Sequence, residues 1–341
     1  MKRIIGLREI LVLFLFSIVL TPPAFSAEKT ETIKVYFQPL IGQAPLIIAF
    51  EEGFFEAEGL QVEFVKQENA ASAFLLLVQG TLDVMLSLPT AGLFNAAKSD
   101  GPFKIVSGGS MSLETEFYSG LVVKMSSDSA QGSSEDVLHS LTGQKIAFPI
   151  LGSVPHYFID TLFKRSHLVL SEEQIALMPF PLIAASLKKG IIRAGYLAEP
   201  FIASFEAANP GNIRTFNLAK VFPNTPMTLL IFGKNIREKK PALAIKFMAA
   251  YLKGCRQYQQ GKTPRNLEIL KKYLNIDESL LRQFVWPTVS PDNIFSCRDF
   301  LNGYQDWLLK KKYLAERIDV GKMIDPGFLN GAKKVSGFDK K

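Results

Sequence analysis

From residue 33 onward the chain alternates between short apolar runs of strand length and longer stretches whose apolar residues recur every three to four positions. This alternation of the two hydrophobic periods predicts β–α–β units, hence a mostly parallel sheet covered by helices. Residues 33–37 read as a first strand and 38–44 as the loop after it. Pro45 opens a helix at the first helical position, where its missing N–H leaves nothing unpaired. Leu46, Ile47, Phe50 and Phe54 give that helix one core face; Gly53 weakens it and Gly59 ends it. Strands at 60–65, 82–86 and 103–106 then alternate with helices at 70–78 and 89–97.

A further strand, 118–124, precedes a Ser/Asp/Gly-rich stretch at 126–134, the clearest loop in the sequence. A second alternating block follows, with strands at 145–148, 174–178, 192–197 and 213–216 and helices at 154–164, 182–189 and 201–208. After a strand at 227–232 the pattern is largely helical, and the polar, glycine-containing end at 326–341 is expected to fray. Two α/β blocks of similar size predict two lobes, each a mixed, mostly parallel sheet flanked by helices. Lobe one is expected to be discontinuous (27–126 and 222–325) and lobe two to span 127–221, with two crossing strands as the hinge. Two separate domains in series is the alternative on length alone.

The first residues change the picture of where the protein works. Lys2, Arg3 and Arg8 precede the apolar run 11–20, Pro22 and Pro23 break it, and Ala24-Phe25-Ser26 offers small residues at −3 and −1. Residues 1–26 therefore read as a signal peptide cut after Ser26, placing the protein in the periplasm. The net charge of +7 falls to about +5 without that segment, which carries three basic residues and Glu9. The remaining excess lies in scattered lysine runs without an aromatic ladder, so nucleic acid is not an expected partner. Cys255 and Cys297 are the only cysteines; in an oxidising compartment they could pair or stay as two buried thiols. With no CxxC and no His–Cys cluster, no metal site and no cofactor are expected. Catalysis is not expected either, as the chain has no Gly-x-Ser-x-Gly elbow, no HExxH and only three histidines.

Four segments carry a family likeness: Pro45-Leu46 through Gly53-Phe54-Phe55 to Glu58-Gly59-Leu60; Leu75 through Gln79-Gly80-Thr81-Leu82-Asp83-Val84; Leu141-Thr142-Gly143-Gln144-Lys145-Ile146-Ala147 leading to Gly152-Ser153; and Leu187-Lys188-Lys189-Gly190 to Glu199-Pro200-Phe201. In this order the chain resembles the type 2 periplasmic solute-binding proteins that serve ABC importers for nitrate, sulfonates, taurine and thiamine-pyrimidine precursors. The resemblance implies a two-lobed binding protein, expected as a monomer, that captures a small polar or anionic organic solute and hands it to a membrane permease. An enzyme on the same scaffold, or a ligand sensor docking on a membrane receptor, is the alternative. Arg193 stands where such proteins usually carry an acidic residue after the glycine-led turn.

In open α/β sheets ligands bind beyond the carboxyl ends of the strands, where helix N-termini point free N–H groups into the crevice. The loops meeting that description supply the candidate ligand-binding residues: Gln43 and Ala44; Pro89 and Thr90; Ser110; Gly152, Ser153 and Val154; Tyr196 and Glu199. Gly152 would let the backbone approach a ligand, and Ser153 would cap its helix or donate to an anion. His156, in the first turn of that helix, could meet an anion or a ring. Glu199 could accept from a ligand amine, or neutralise Arg193 or a helix N-terminus. Tyr36, Phe37, Tyr157 and Tyr196 are further candidates for the cleft wall.

Overall fold

A computed structural model describes residues 31–67, 69–97, 101–125 and 132–336. The signal segment with its cut after Ser26, residues 126–131 of the expected loop, and 337–341 lie outside the described residues. The first lobe opens with β1 (Glu31–Phe37), α1 (Ala44–Glu51), α2 (Phe54–Ala57), β2 (Leu60–Lys66), α3 (Ala70–Gln79), β3 (Val84–Ser87), α4 (Ala91–Ala96) and β4 (Phe103–Gly108). The chain crosses through β5 (Met111–Ser112) into β6 (Ser119–Lys124), α5 (Ser134–His139), β7 (Ile146–Phe148), α6 (Val154–Arg165), β8 (Ile175–Leu177), α7 (Phe180–Lys189), β9 (Ala194–Ala198), α8 (Phe201–Ala208) and β10 (Ile213–Asn217). It returns by β11 (Thr225–Pro226) to β12 (Leu229–Gly233). The helices α9 (Pro241–Tyr258), α10 (Pro264–Leu274), α11 (Glu278–Gln283), α12 (Cys297–Lys310), α13 (Val320–Met323) and α14 (Gly327–Ser336) complete it.

Each lobe has one five-stranded sheet, ordered β2-β1-β3-β12-β4 in the first and β10-β6-β9-β7-β8 in the second. The two are built alike. In each, the single strand running against its two neighbours is the one the chain enters on arriving from the other lobe: β6 is antiparallel to β9 and β10, and β12 to β3 and β4. Between the lobes β5 and β11 pair antiparallel, so the two crossing segments form one short ribbon. Central strands are buried on both faces, every residue of β3 and β12 included. That is why they read as continuous apolar runs and not as alternations.

The fold departs from the expected boundaries in four places. The crossing precedes β6, near 111–118 and not at Ser126, because residues 119–124 are hydrogen-bonded into the second sheet. The expected single helix after Pro45 breaks in two where Gly53 adopts φ 68°, a left-handed turn open to glycine without penalty. Residues 44–49 are buried all round, since α9 and α10 cover the face that the spacing left to solvent. The tail does not simply fray: α14 packs on α9, with Leu329 and Ala332 fully buried. Its i, i+3 apolar pair is a core face hidden among polar neighbours.

Candidate functional site

The carboxyl ends of the parallel strands face each other across a cavity of about 790 Å3. Lobe one contributes Phe37 at the tip of β1, Gln43 before α1, Leu86 and Ser87 at the end of β3, and Thr90. Lobe two contributes Ile150, Ser153, Phe180, Tyr196, Glu199 and Phe201, and the crossing region adds Ser110, Tyr118, Met227 and Thr228. The wall is mostly apolar. Among the described residues, Lys66 and Glu199 are the only charged ones on it. Lys66 is exposed at the end of β2, whereas Glu199 is buried.

Six of the eleven candidate residues lie on this wall: Gln43, Thr90, Ser110, Ser153, Tyr196 and Glu199. Four of these direct polar atoms into the protein. The Gln43 side-chain carbonyl accepts the Gln38 N–H at 2.9 Å, and its amide donates to the Leu86 carbonyl at 3.2 Å. Thr90 Oγ1 caps α4 by accepting from the Leu93 N–H. The Ser110 N–H donates to Thr228 Oγ1 at 2.7 Å, and the two hydroxyls lie 3.0 Å apart. Ser153 donates to the Ile150 carbonyl at 2.6 Å and makes no side-chain cap on α6.

Ala44, Pro89, Gly152, Val154 and His156 do not line the cavity. Ala44 and Val154 are buried at the starts of α1 and α6. Gly152 belongs to the seam where the lobes touch, with Pro89 beside it. The Gly152 carbonyl accepts the Ala91 N–H at 2.9 Å and the Tyr304 hydroxyl, which also reaches the Pro89 carbonyl at 3.5 Å. At φ 67° with only 2.9 Å between a built Cβ and that of Ala91, Gly152 permits the close lobe-to-lobe contact. His156 accepts the Gly152 N–H at 3.2 Å, stacks on Phe148 and meets the edge of Trp307. Burial first, with the Lys311 charge adding to it and Asp160 opposing, pushes its pKa down to about 4, so it is a neutral structural imidazole.

Tyr196 and Glu199 are different. Glu199 Oε2 accepts the Ala203 N–H at 2.9 Å, so the carboxyl occupies the N-terminus of α8. No hydrogen bond to Oε1 and no ion pair with Arg193 occur among the described residues. Burial outweighs that hydrogen bond and raises the Glu199 pKa to about 8, with Glu206 adding to the rise. The Tyr196 hydroxyl is buried without a hydrogen-bond partner. Ser119 is near enough to draw its pKa down slightly, yet makes no hydrogen bond with it of acceptable geometry, and burial dominates, raising it. Of the aromatic candidates, Phe37 is on the wall but Tyr36 is not, as strand alternation requires. Tyr157 lies in a cluster with Phe222, Tyr304 and Trp307, which carries α12 across α6.

Sequence reasoning missed Tyr118, Phe180, Phe201, Met227 and Thr228. Phe180 and Phe201 each stand at the first position of a helix following a strand tip, the same signal that found Thr90, and their rings stack 6.0 Å apart. Met227 and Thr228 follow the returning strand of the ribbon, a place no local pattern marks. Among the described residues there is no group of three or more His, Cys, Asp or Glu able to hold a metal ion, and no helix long and apolar enough to cross a membrane.

A model of the NMT1-like family matches residues 26–271. No curated protein matches the sequence. Solved structures do. The periplasmic nitrate-binding protein NrtA from Synechocystis PCC 6803 superposes with a TM-score of 0.72 at 15% identity, covering 90% of this chain and 89% of that one. The periplasmic aliphatic sulphonate-binding protein SsuA from Escherichia coli gives 0.67 at 15% identity, over 86% of this chain and 92% of that one. The ligand-binding component of an ABC-type import system from Staphylococcus aureus, with zinc bound, gives 0.69 at 16% identity, over 89% and 99%. At such identities the likeness is one of fold.

Proposed function

The chain belongs to the NMT1-like family, and from that premise we propose that it is an exported solute-binding protein that closes on a small organic molecule and delivers it to an ABC importer. The observation carrying this reading is the cavity of about 790 Å3 walled by strand tips of both lobes, which are joined only through the β5–β11 ribbon and the C-terminal helices. That volume falls within the range usual for small-molecule sites, about 300–1,000 Å3. The lobes touch at the Ala91–Gly152 hydrogen bond, the Thr90–Ser153 bridge and the Ile41 N–H, which donates to the Glu199 carbonyl at 3.3 Å. A ligand filling the gap contacts both walls only when these seams are made, so its binding shifts the population toward the closed form. Export through cleavage after Ser26, action as a monomer, and a permease as partner belong to the same reading. The solved relatives named for import and for periplasmic binding support it.

The test is a broad solute panel followed by thermal unfolding and small-angle scattering of the mature protein. A true ligand raises stability by about 2.7 kcal/mol at one hundred times its dissociation constant and reduces the radius of gyration. If no member of the panel does either, the protein is not a solute receptor.

A further inference from the structure

Both lobes and the crossing segment meet at Glu199. Its N–H donates to the Tyr118 carbonyl at 2.9 Å, and its carbonyl accepts the Ile41 N–H of lobe one at 3.3 Å. The residue lines the cavity and is only 3% exposed. Its two side-chain oxygens have different surroundings. Oε2 accepts the Ala203 N–H at the start of α8. Oε1 has no partner among the described residues and, unlike the Tyr196 hydroxyl, is not sealed off.

Burial without a countercharge disfavours the ionised carboxyl, because one N–H does not replace the water that a carboxylate gives up. The groups around it do not reverse this. Glu206, further along α8, adds negative charge, and the Tyr118 and Tyr196 phenols stay neutral because burial raises both. Two helices pack on α8: α7, with Lys188 and Lys189 in its last turn, and α11, where Glu278 holds Arg282 at 2.7 Å. Lys66 is exposed at the end of β2. Glu199 therefore keeps its proton up to about 8. A neutral acid that accepts an N–H through the carbonyl-type oxygen carries its proton on the other, so an O–H stands at Oε1. Gln38, Gln67, Ser87 and Asn275 bring further amide and hydroxyl donors to the wall, and Ser119 lies beside Tyr118 and Tyr196. A solute with several oxygen acceptors finds partners there whether it is neutral or anionic.

We propose that Glu199 is a specificity-determining residue that acts as a neutral donor, its O–H at Oε1 binding an oxygen acceptor of the solute (a carbonyl, carboxylate or sulfonate), so that acceptor-bearing solutes are preferred over cations offering only N–H groups. This deepens the solute-binding reading and rests on it. Loss of the proton turns the donor into a charged acceptor, and the preference then inverts.

Two measurements test the proposal. The first needs no solute: infrared difference spectra between the ligand-free mature protein and its Glu199→Gln variant, at pH 6.5 and pH 9. The carbonyl stretch of an un-ionised carboxylic acid is expected in the wild type at pH 6.5 and largely lost by pH 9. Its absence at pH 6.5 would overturn the proposal and leave the solute-binding reading intact. The second titrates four probes calorimetrically at the same two pH values: N,N-dimethylbenzamide, benzoate, benzenesulfonate and benzamidine. The three acceptors are expected to bind more tightly than benzamidine at pH 6.5. At pH 9 about one site in ten keeps the proton, so their affinity falls about 10-fold while that of benzamidine rises. In Glu199→Gln the carbonyl still caps α8 and an NH2 replaces the O–H, so this pH dependence disappears. Glu199→Ala, with no donor, should bind the acceptors about 3- to 10-fold more weakly than Glu199→Gln. Benzamidine binding most tightly at pH 6.5, or the same pH dependence in wild type and Glu199→Gln, would overturn the proposal alone. Any member of the broad solute panel that binds is held to the same pH dependence. Silence from the probes and the panel alike would sink both readings.

Discussion

Replacing Glu199 by Gln changes how stability depends on pH, and the structure sets the sign and the size. In the unfolded chain the carboxyl titrates near 4.5, whereas in the native protein burial holds it protonated up to about 8. Between those values the native state carries a proton that the unfolded state has released. Unfolding then gains from ionisation, and stability falls as pH rises through this window. At about 1.4 kcal/mol per pH unit the ceiling is about 5 kcal/mol. About 2–4 kcal/mol is the expected loss between pH 5 and pH 9. Glutamine has no proton to lose, and its carbonyl retains the Ala203 N–H. Urea unfolding of the ligand-free wild type and variant at pH 5, 7 and 9 reads the difference directly. His156 titrates the other way on the acid side, because its unfolded form gains a proton below about 6.5 while the native form waits until about 4. That contribution is common to both proteins and cancels. Parallel stability curves for the two would refute the assignment of a buried, protonated Glu199.

Gly254→Ala sets helix propensity against packing. Alanine favours the helix by up to about 1 kcal/mol, but its Cβ would lie 2.2 Å from the Pro45 carbonyl and 2.9 Å from Ala49 Cβ, and forcing α9 from α1 costs about 1–3 kcal/mol. The variant should therefore show a lower urea midpoint at unchanged m-value; a stabilised variant would contradict the close approach. Tyr304→Phe removes the hydroxyl that bridges to the Gly152 carbonyl across the seam, a bond worth about 0.5–1.5 kcal/mol. The expected result is a more open ligand-free particle in scattering and ligand affinity weakened about 2- to 10-fold; unchanged affinity would show that this contact does not favour closure. Cys255 and Cys297 are free and fully buried, their thiol pKa values pushed up to about 12 by burial. Native protein at pH 8 should react negligibly with a thiol reagent and yield two thiols per chain in denaturant; a missing pair would mean a disulfide.

How far the sequence reaches depends on the range of the force that places each residue. Strands β3, β6 and β12 announce themselves because burial on both faces demands unbroken apolar runs, and α9 by apolar residues recurring at helical spacing. The identity of β6 as a strand of the second lobe is not local at all. Residues 119–124 look the same whichever sheet accepts them, and only pairing with β9 and β10 decides. The same division runs through the site. That Gly152, Ser153 and His156 stand at a strand tip is legible from the turn and the helix after it. That Ser153 faces the cavity while Gly152 faces Ala91 is not, because it depends on a partner more than sixty residues earlier. His156 is off the cavity wall and packs against α12, more than 140 residues later, through Trp307. Glu199 is the informative exception. Its place ahead of Pro200 and α8 suggests a helix-terminal carboxyl, and the structure bears that out. Whether it also has a cation beside it is a long-range question, and no ion pair with Arg193 occurs among the described residues. A carboxyl that caps a helix from a buried position, with no countercharge beside it, cannot ionise cheaply, and that is why burial outweighs the Ala203 hydrogen bond and raises its pKa.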